Sequence, residues 1–359
     1  MNAPQPAPLP IVHLLSSGGF YGAERMLLDH CLATAGEHEV VFLDAPVQLV
    51  ERFRAAGVNA RRCEGLGSLI KYLRGRRAAR PLINTHNFKG LLFGWVAATL
   101  LRLPLVITQH GFTPRSTKQR FYTWLSLQLC RTPSVRRVVC VAESIARLHR
   151  LAHVRADKLQ VIPNGLPPAA EMPKRQAEPC TLVGYVGRLS REKGPDLFLD
   201  ALIPLAREHS HLHAVMLGDG PERDVLQSRI DDAGLGSNIQ LPGYQTEMRH
   251  WWMQLDLLVI SSRTEGTPMI MLEAMQAGVP VVSFAVGGIP DVLEDGINGL
   301  LAEPANSAAL AACIDRLIDD PGLARALAER ARHTQQDRYH LPVLAERWSQ
   351  LYMTTAQGA

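Results

Sequence analysis

Leu257-Leu258-Val259-Ile260-Ser261-Ser262-Arg263-Thr264-Glu265-Gly266-Thr267-Pro268-Met269-Ile270-Met271-Leu272-Glu273-Ala274-Met275 is the stretch on which the reading of this chain turns. Leu257 to Ile260 have the length and composition of a fully buried strand, and the residues that follow read as a short loop and then a helix. Thr267 suits the N-cap and Pro268 the first helical position, where a missing N–H costs nothing. The helix amides then open at the carboxyl end of the strand, which makes an anion site. Glu265 falls in the loop and Glu273 about one and a half turns inside the helix, so both carboxylates border one pocket. One can accept hydrogen bonds from a sugar and the other from ribose hydroxyls. Helix starts also attract glutamate for dipole reasons alone, so the pair gains its meaning from its surroundings.

Those surroundings are a second set of strand ends. Gly187-Arg188-Leu189-Ser190-Arg191-Glu192-Lys193-Gly194 follows the apolar run Thr181 to Val186 and brings two cations, Arg188 and Lys193, to where a diphosphate would arrive. Solvated surface cations would look the same in isolation. Gly218-Asp219-Gly220-Pro221 ends the next strand and by itself reads as an ordinary tight turn.

The same alternation of apolar runs and amphipathic segments extends along the whole chain. Before the Glu265 block it runs through Ile11–Leu15, a helix near Ala23–Ala35, Val40–Leu43, Val47–Ala56, Leu82–Asn84, Phe88–Leu101, Leu105–Thr108, Arg137–Val141, Ser144–Leu151 and Leu159–Ile162. Pro163 to Pro179 breaks the rhythm with the composition of a linker. It resumes with Thr181–Val186, a helix after Pro195, His213–Leu217, a helix after Glu222, Ile239–Leu241, Leu257–Ile260, Val281–Phe284 and helices beyond Asn306. Parallel sheets with crossover helices follow from this order. The expected division is 1–165, a linker at 166–179, a second domain at 180–340 and a terminal helix at 341–359 that could return to the first domain. The expectation is two Rossmann-like doubly wound α/β domains facing each other across a cleft, with ligands at the strand ends.

Composition agrees with a globular α/β chain. Its 359 residues are 47% hydrophobic and 20% charged, enough for two cores of roughly 150 to 200 residues each. The six cysteines are scattered, with no C-x-x-C pair and no zinc-ligand spacing, which suits a reduced cytoplasmic protein. Met1 to Pro10 reads as a loose tail rather than a signal peptide. The longest apolar stretch, Leu91–Leu101, is about half the length needed to span a bilayer. To Gly165 there are 22 Lys/Arg against 9 Asp/Glu, leaving 16 against 25 of the totals 38 and 34. The clusters Lys71, Arg74, Arg76, Arg77, Arg80 and Arg131, Arg136, Arg137 give the first half an electropositive face fit for phosphates or anionic lipid, or simply for water. The expected location is therefore cytoplasmic, with the inner face of the membrane as a candidate surface.

Three further segments lie at strand ends of the first half. Ser16-Ser17-Gly18-Gly19-Phe20-Tyr21-Gly22 lets backbone amides approach a phosphate, though it is not G-x-G-x-x-G. Asn84-Thr85-His86-Asn87 and Gln109-His110-Gly111 each bring an imidazole to a strand end.

Taken together these residues resemble the retaining GT-B glycosyltransferases of family 4 (group 1), which carry two glutamates eight positions apart. The likeness runs from Gly18-Gly19 through Val161-Ile162-Pro163-Asn164-Gly165, Gly184-Tyr185-Val186-Gly187-Arg188 and Glu265–Ala277 to Gly287-Gly288-Ile289-Pro290-Asp291-Val292 and Gly296-Ile297-Asn298-Gly299-Leu300. The resemblance implies that Arg188 and Lys193 neutralise the donor diphosphate. It implies that Glu273 binds the ribose, and that Glu265 holds the sugar with the amides of Gly266, Thr267, Pro268 and Met269. Gly243-Tyr244 would border the base, Gly18 and Gly19 the phosphates, and His110 the sugar and its developing positive charge, with His86 and Asn164 among the substrate-binding residues. The implied reaction is front-face transfer from a nucleoside diphosphate sugar to a hydroxyl, with a lipid-linked saccharide among the candidate acceptors, no metal, no cofactor besides the co-substrate and no nucleic acid. Many members have Phe-Gly after the equivalent of Glu265-Gly266, where this chain has Thr267-Pro268-Met269, so the identity of the sugar stays open. A sugar-nucleotide epimerase or phosphorylase would share the diphosphate grip, and a non-catalytic GT-B binding protein would share the fold; a dehydrogenase lacks its glycine fingerprint here.

Overall fold

The computed structural model describes residues 8–111, 117–169 and 181–358. Most of the expected N-terminal tail, the linker from 170 to 179 and Cys180 lie outside them. The chain divides into two units, Met1–Pro167 with Leu341–Ala359, and Pro168–His340.

The first unit alternates β1 (Pro10–Ser16), α1 (Gly22–Ala33), β2 (Glu37–Asp44), α2 (Val47–Ala55), β3 (Asn59–Arg62), α3 (Gly65–Gly75), β4 (Leu82–Thr85), α4 (Phe88–Leu101), β5 (Leu105–Gln109), α5 (Thr117–Arg131), β6 (Val135–Cys140), α6 (Glu143–Leu151) and β7 (Leu159–Val161). The second runs β8 (Leu182–Val186), α7 (Pro195–Glu208), β9 (His213–Leu217), α8 (Arg223–Asp232), β10 (Ile239–Gly243), α9 (Met248–Gln254), β11 (Leu257–Ile260), α10 (Met269–Ala277), β12 (Val281–Phe284), β13 (Leu300–Ala302), α11 (Ser307–Asp319) and α12 (Pro321–Arg338). Helix α13 (Leu341–Gln357) then belongs to the first unit again.

The named strands pair in parallel, in the order β3-β2-β1-β4-β5-β6-β7 in one sheet and β10-β9-β8-β11-β12-β13 in the other. Each order reverses once, between β1 and β4 and between β8 and β11. Crossover loops leave in opposite directions at such a point, and the strand ends there open a crevice.

Strand alternation sorts the first unit's core by face. Val12, Leu14, Leu105 and Ile107 join the cluster with Leu91, Ala97 and Ala98 of α4. Helix α4 sits close to the sheet because Gly90 and Gly94 have no side chain; a Cβ at Gly90 would lie 2.7 Å from Leu14 O. Ile11, Leu82, Val106 and Val139 face the other way and pack against Leu344, Trp348, Leu351 and Tyr352 of α13. Burial of a strand on both faces is what its unbroken apolar runs require.

Five elements were not read from the sequence: β3, α3, α5, α9 and β13. Strand β3 is Asn-Ala-Arg-Arg with Ala60 alone buried, so no period-two pattern exists to find. Helix α5 buries just Ser126, Leu129 and Cys130 of its fifteen residues. The basic cluster on and after α3 is also less open than its residue count suggests: Arg76 is tied to the buried Glu39 and to Glu37, and Tyr72 and Arg61 contact Glu39 as well. Lys71, Arg74, Arg77 and Arg80 remain exposed.

Candidate functional site

In the second unit, the loops after β8 and β11 meet at the reversal point. Their contact depends on Gly194, which has φ +62° and whose Cβ would fall 2.0 Å from Ser261 O. Ser261 Oγ donates to Gly194 O at 2.7 Å, locking the approach. Lys193 Nζ consequently lies 2.7 and 2.9 Å from the two oxygens of Glu265, and Ser262 Oγ donates to Glu265 Oε1 at 2.6 Å. From the opposite side Gly287 (φ +57°) brings its chain so close that a Cβ would lie 1.9 Å from Glu265 O, and Gly288 N–H donates to that carbonyl. The Glu265 side chain is 8% exposed and that of Lys193 is 35% exposed. Desolvating two charges largely offsets their attraction, so such a pair contributes little to stability and is better read as a site feature.

The turn carrying Lys193 is held from below. Tyr185 OH donates to Arg188 O at 2.9 Å, and burial, followed by the nearby Glu265 and Glu192, pushes its phenol well above the usual range. Arg263 clasps Asp196 through two hydrogen bonds of 2.8 and 2.6 Å and also donates to Arg191 O. Arg188 itself is exposed, and among the described residues its guanidinium makes no ion pair.

The helix start differs by one residue from the sequence expectation. Pro268, at φ −66° and ψ 124°, is the N-cap of α10, and Met269 is the first helical residue; Thr267 lies before the cap and is buried. The extended ψ of Pro268 leaves its carbonyl facing the helix, where it accepts from Met271 and Leu272. The N–H groups of Met269 and Ile270 thus have no intrahelical acceptor. Glu273, partly buried, stands just over one turn inside the helix. Gly266 is partly buried between Glu265 and Thr267. Gly243, at φ +84°, ends β10 and accepts from Gly218 N–H, with Tyr244 59% exposed beside it.

In the first unit, Gly18 and Gly19 form the loop between β1 and α1. Ser17 Oγ donates to Gly19 O at 2.8 Å, and a Cβ on Gly18 would meet nothing within 4 Å. Asn164 follows β7 and is partly buried. His110, directly after β5, is partly buried, and burial holds its pKa down to about 4. His86 requires a correction. Its ring is buried and both nitrogens are committed, Nε2 to His13 Nδ1 at 2.9 Å and Nδ1 to His110 Nε2 at 3.3 Å, so neither ring nitrogen is left for a substrate.

Sequence reasoning missed Ser262, Tyr185, the Arg263–Asp196 clasp and the histidines His13, His30 and His38. Ser262 adjoins Glu265 in the quoted block, and its role needed only the loop's turn to become visible. His13 and His38 sit within strand-forming runs where a polar residue is ordinarily an outward position, and nothing local signals that both rings point inward.

Two family profiles match the chain, one described as Glycosyl transferases group 1 over residues 171–334 and one as Glycosyltransferase Family 4 over residues 21–170. The chain belongs to this family of GT-B glycosyltransferases. It is similar to the alpha-D-kanosaminyltransferase of Streptomyces kanamyceticus, 29% identical over 208 residues that make up 57% of this chain and 54% of that protein. It thus spans about half the length of that relative. The 2-deoxystreptamine glucosyltransferase of the same organism is 27% identical, covering 74% and 75%. Among solved structures, HepE from Anabaena in complex with UDP has the same fold, with a TM-score of 0.84 at 22% identity, covering 96% and 100%. No helix of the described residues is long and apolar enough to cross a membrane.

Burial is the largest cause that lowers the pKa of His13, His30, His38, His86, His110 and His149 from 6.5. Below that value the unfolded chain binds protons that the folded one does not, so stability rises with pH in this window. The contribution is fully present above about 6.5 and is lost as pH falls toward the folded values. Thermal melts across pH 4 to 8 should show a midpoint falling steeply below pH 6.5, and a flat profile down to pH 5 would contradict these buried neutral rings.

Proposed function

We propose that the chain transfers a glycosyl residue from a nucleoside diphosphate sugar, of the UDP or GDP type, to a hydroxyl acceptor with retention at the anomeric carbon. The observation that carries this reading is the Lys193–Glu265 contact at the β8/β11 reversal point, in front of the open amides of α10. The bond from the anomeric carbon to the diphosphate oxygen breaks, and the leaving diphosphate gains negative charge. Lys193 and the amides of Met269 and Ile270 oppose that charge as donors already held in place, and the exposed Arg188 adds its cation, so the charge stabilisation asks for no metal. The acceptor hydroxyl attacks from the leaving-group face and passes its proton to the diphosphate, unlike the two-carboxylate scheme of retaining hydrolases. Glu265, oriented by Lys193 and Ser262, accepts from sugar hydroxyls together with the Gly266–Met269 segment; Glu273 takes the ribose, and Gly243-Tyr244 border the base. Gly18-Gly19 approach the phosphates, His110 faces the sugar, and Asn164 belongs to the substrate contacts.

UDP is favoured as the nucleotide because HepE was crystallised with UDP and with UDP-glucose. A lipid-linked saccharide at an anionic membrane is the favoured acceptor. Exposed Lys118, Arg120, Phe121 and Trp124 on α5 support that choice, since basic and aromatic side chains on one helix suit a headgroup boundary.

A ligand that binds only the folded state raises apparent stability by mass action. In a thermal-shift titration, UDP and UDP-glucose should raise the midpoint of the wild type more than ADP does, and Glu273→Ala should lose most of that gain. No shift with any nucleotide sugar would count against a donor site. In flotation, the chain should rise with anionic liposomes and not with neutral ones; equal recovery with both would remove the membrane from the account.

A further inference from the structure

Three histidines stand in line beneath His110, and the four lie on or directly after the neighbouring strands β2, β1, β4 and β5. His38 Nδ1 is 2.9 Å from His13 Nε2, His13 Nδ1 is 2.9 Å from His86 Nε2, and His86 Nδ1 is 3.3 Å from His110 Nε2. Successive rings lie edge to edge and near-parallel, at interplanar angles of 18°, 29° and 24° and centroid separations of 5.2, 5.2 and 5.6 Å, as in-plane hydrogen bonds require. At the far end His38 Nε2 lies 3.0 Å from the backbone carbonyl of Thr34. A neutral imidazole has one N–H and one bare nitrogen, and either order along such a row would be self-consistent without an anchor.

The Thr34 carbonyl supplies the anchor, because a carbonyl oxygen accepts and never donates. His38 Nε2 therefore carries the proton, and His38 Nδ1 is bare and accepts from His13 Nε2–H. By the same step His13 Nδ1 accepts from His86 Nε2–H, and His86 Nδ1 accepts from His110 Nε2–H. We propose that this row, polarised from the Thr34 carbonyl, fixes His110 as its Nε2–H tautomer and so presents His110 Nδ1 as a hydrogen-bond acceptor for a hydroxyl of a bound sugar. His13, His38 and His86 are then positioning residues that act through His110.

The groups around the row do not disturb its order. His30 approaches His13 and His38 edge-on, with its own nitrogens turned to Tyr352 and Thr34. Tyr352 OH accepts from Asn84 Nδ2 and so has its proton free for His30 Nε2, while Asn84 Oδ1 accepts from Thr108. His30 Nδ1–H is left to Thr34 Oγ1, the side chain and not the carbonyl. The Cys31 thiol, buried beside His13 and His38, is pushed up and stays neutral. A proton added to His13 or His86 would meet both burial and the repulsion of neighbouring imidazoles, and burial opposes one on His38 or His110, which keeps the row uncharged.

The sugar contact rests on the function proposed above; the tautomer does not, and one experiment separates them. Long-range 15N–1H correlation spectra of the full chain labelled in histidine, recorded above the ordinary histidine pKa and assigned with His110→Asn, should show His13, His38, His86 and His110 as Nε2–H tautomers. A His110 that is Nδ1–H or doubly protonated overturns the proposal. His38→Gln, whose amide can donate to Thr34 O and accept from His13, should keep the pattern, as should Thr34→Ala. His38→Leu should leave His110 a mixture of tautomers and lower kcat with UDP-glucose about 10- to 100-fold at little cost in KM, the scale of other outer-sphere orienting groups. If His38→Leu fails to fold, the wild-type spectrum alone decides. A His110 signal that is Nε2–H but unmoved by saturating UDP-glucose overturns the sugar contact and leaves the polarised row standing.

Discussion

Lys193 and Glu265 meet because two glycines let three loops touch. Gly194 places the β8 loop against Ser261, Gly287 places the β12 loop against the backbone of Glu265, and any side chain at either position would drive them apart. Both also lie at positive φ, where a Cβ is strained whatever room surrounds it. The strand order ensures that the β8 and β11 loops emerge at one reversal point with the β12 loop next to them, and the glycines bring them from proximity to contact. A nearly buried carboxylate is costly to leave alone, and here an ammonium and a serine hydroxyl satisfy it. The clasp of Arg263 on Asp196 and the support of Arg188 O by Tyr185 fix the turn that carries Lys193, so the ammonium is held in place by backbone geometry more than by its own flexible stem.

The first unit answers the same problem of buried polarity differently. Five histidines and a tyrosine lie beneath the strand ends, and apart from His110 Nδ1 their nitrogens and hydroxyl are matched to one another, to Asn84 and to Thr34. Such a network is stable only when each member is satisfied. Helix α13 closes it: Trp348 and Tyr352 meet His30 edge-on, and Tyr352 supplies the hydroxyl that orients it. The last seventeen helical residues of the chain are thereby tied to the interior of the unit that holds the first strand.

Much of this was legible in sequence. The strands at His213–Leu217, Leu257–Ile260 and Val281–Phe284 and helix α4 coincide with their apolar runs, because doubly covered parallel strands leave continuous hydrophobic stretches. The loop positions of Glu265 and Lys193 followed from those strands. What stayed hidden were elements whose burial is slight, such as β3 and α5, and contacts made by backbone atoms, such as the approach of Gly194 to Ser261 O. Pro268 shows the limit at single-residue scale: proline suits either of two adjacent helix-start positions, and the loop's path decides between them. His86 shows another limit, since an imidazole at a strand end looks the same whether it meets a ligand or another histidine.

The direct test of the Lys193–Glu265 contact as a diphosphate grip is isothermal titration of UDP into the wild type and Lys193→Met. Losing one charge-assisted hydrogen bond of about 1.5 to 3 kcal/mol corresponds to roughly 10- to 100-fold weaker binding. A loss of that size for Lys193→Met, measured at a temperature where both proteins are folded, is the result predicted, together with a lowered thermal midpoint because Glu265 keeps Ser262 alone as its partner. Equal affinity for UDP in both proteins would mean that the pair serves the fold alone, and the site would have to be sought elsewhere.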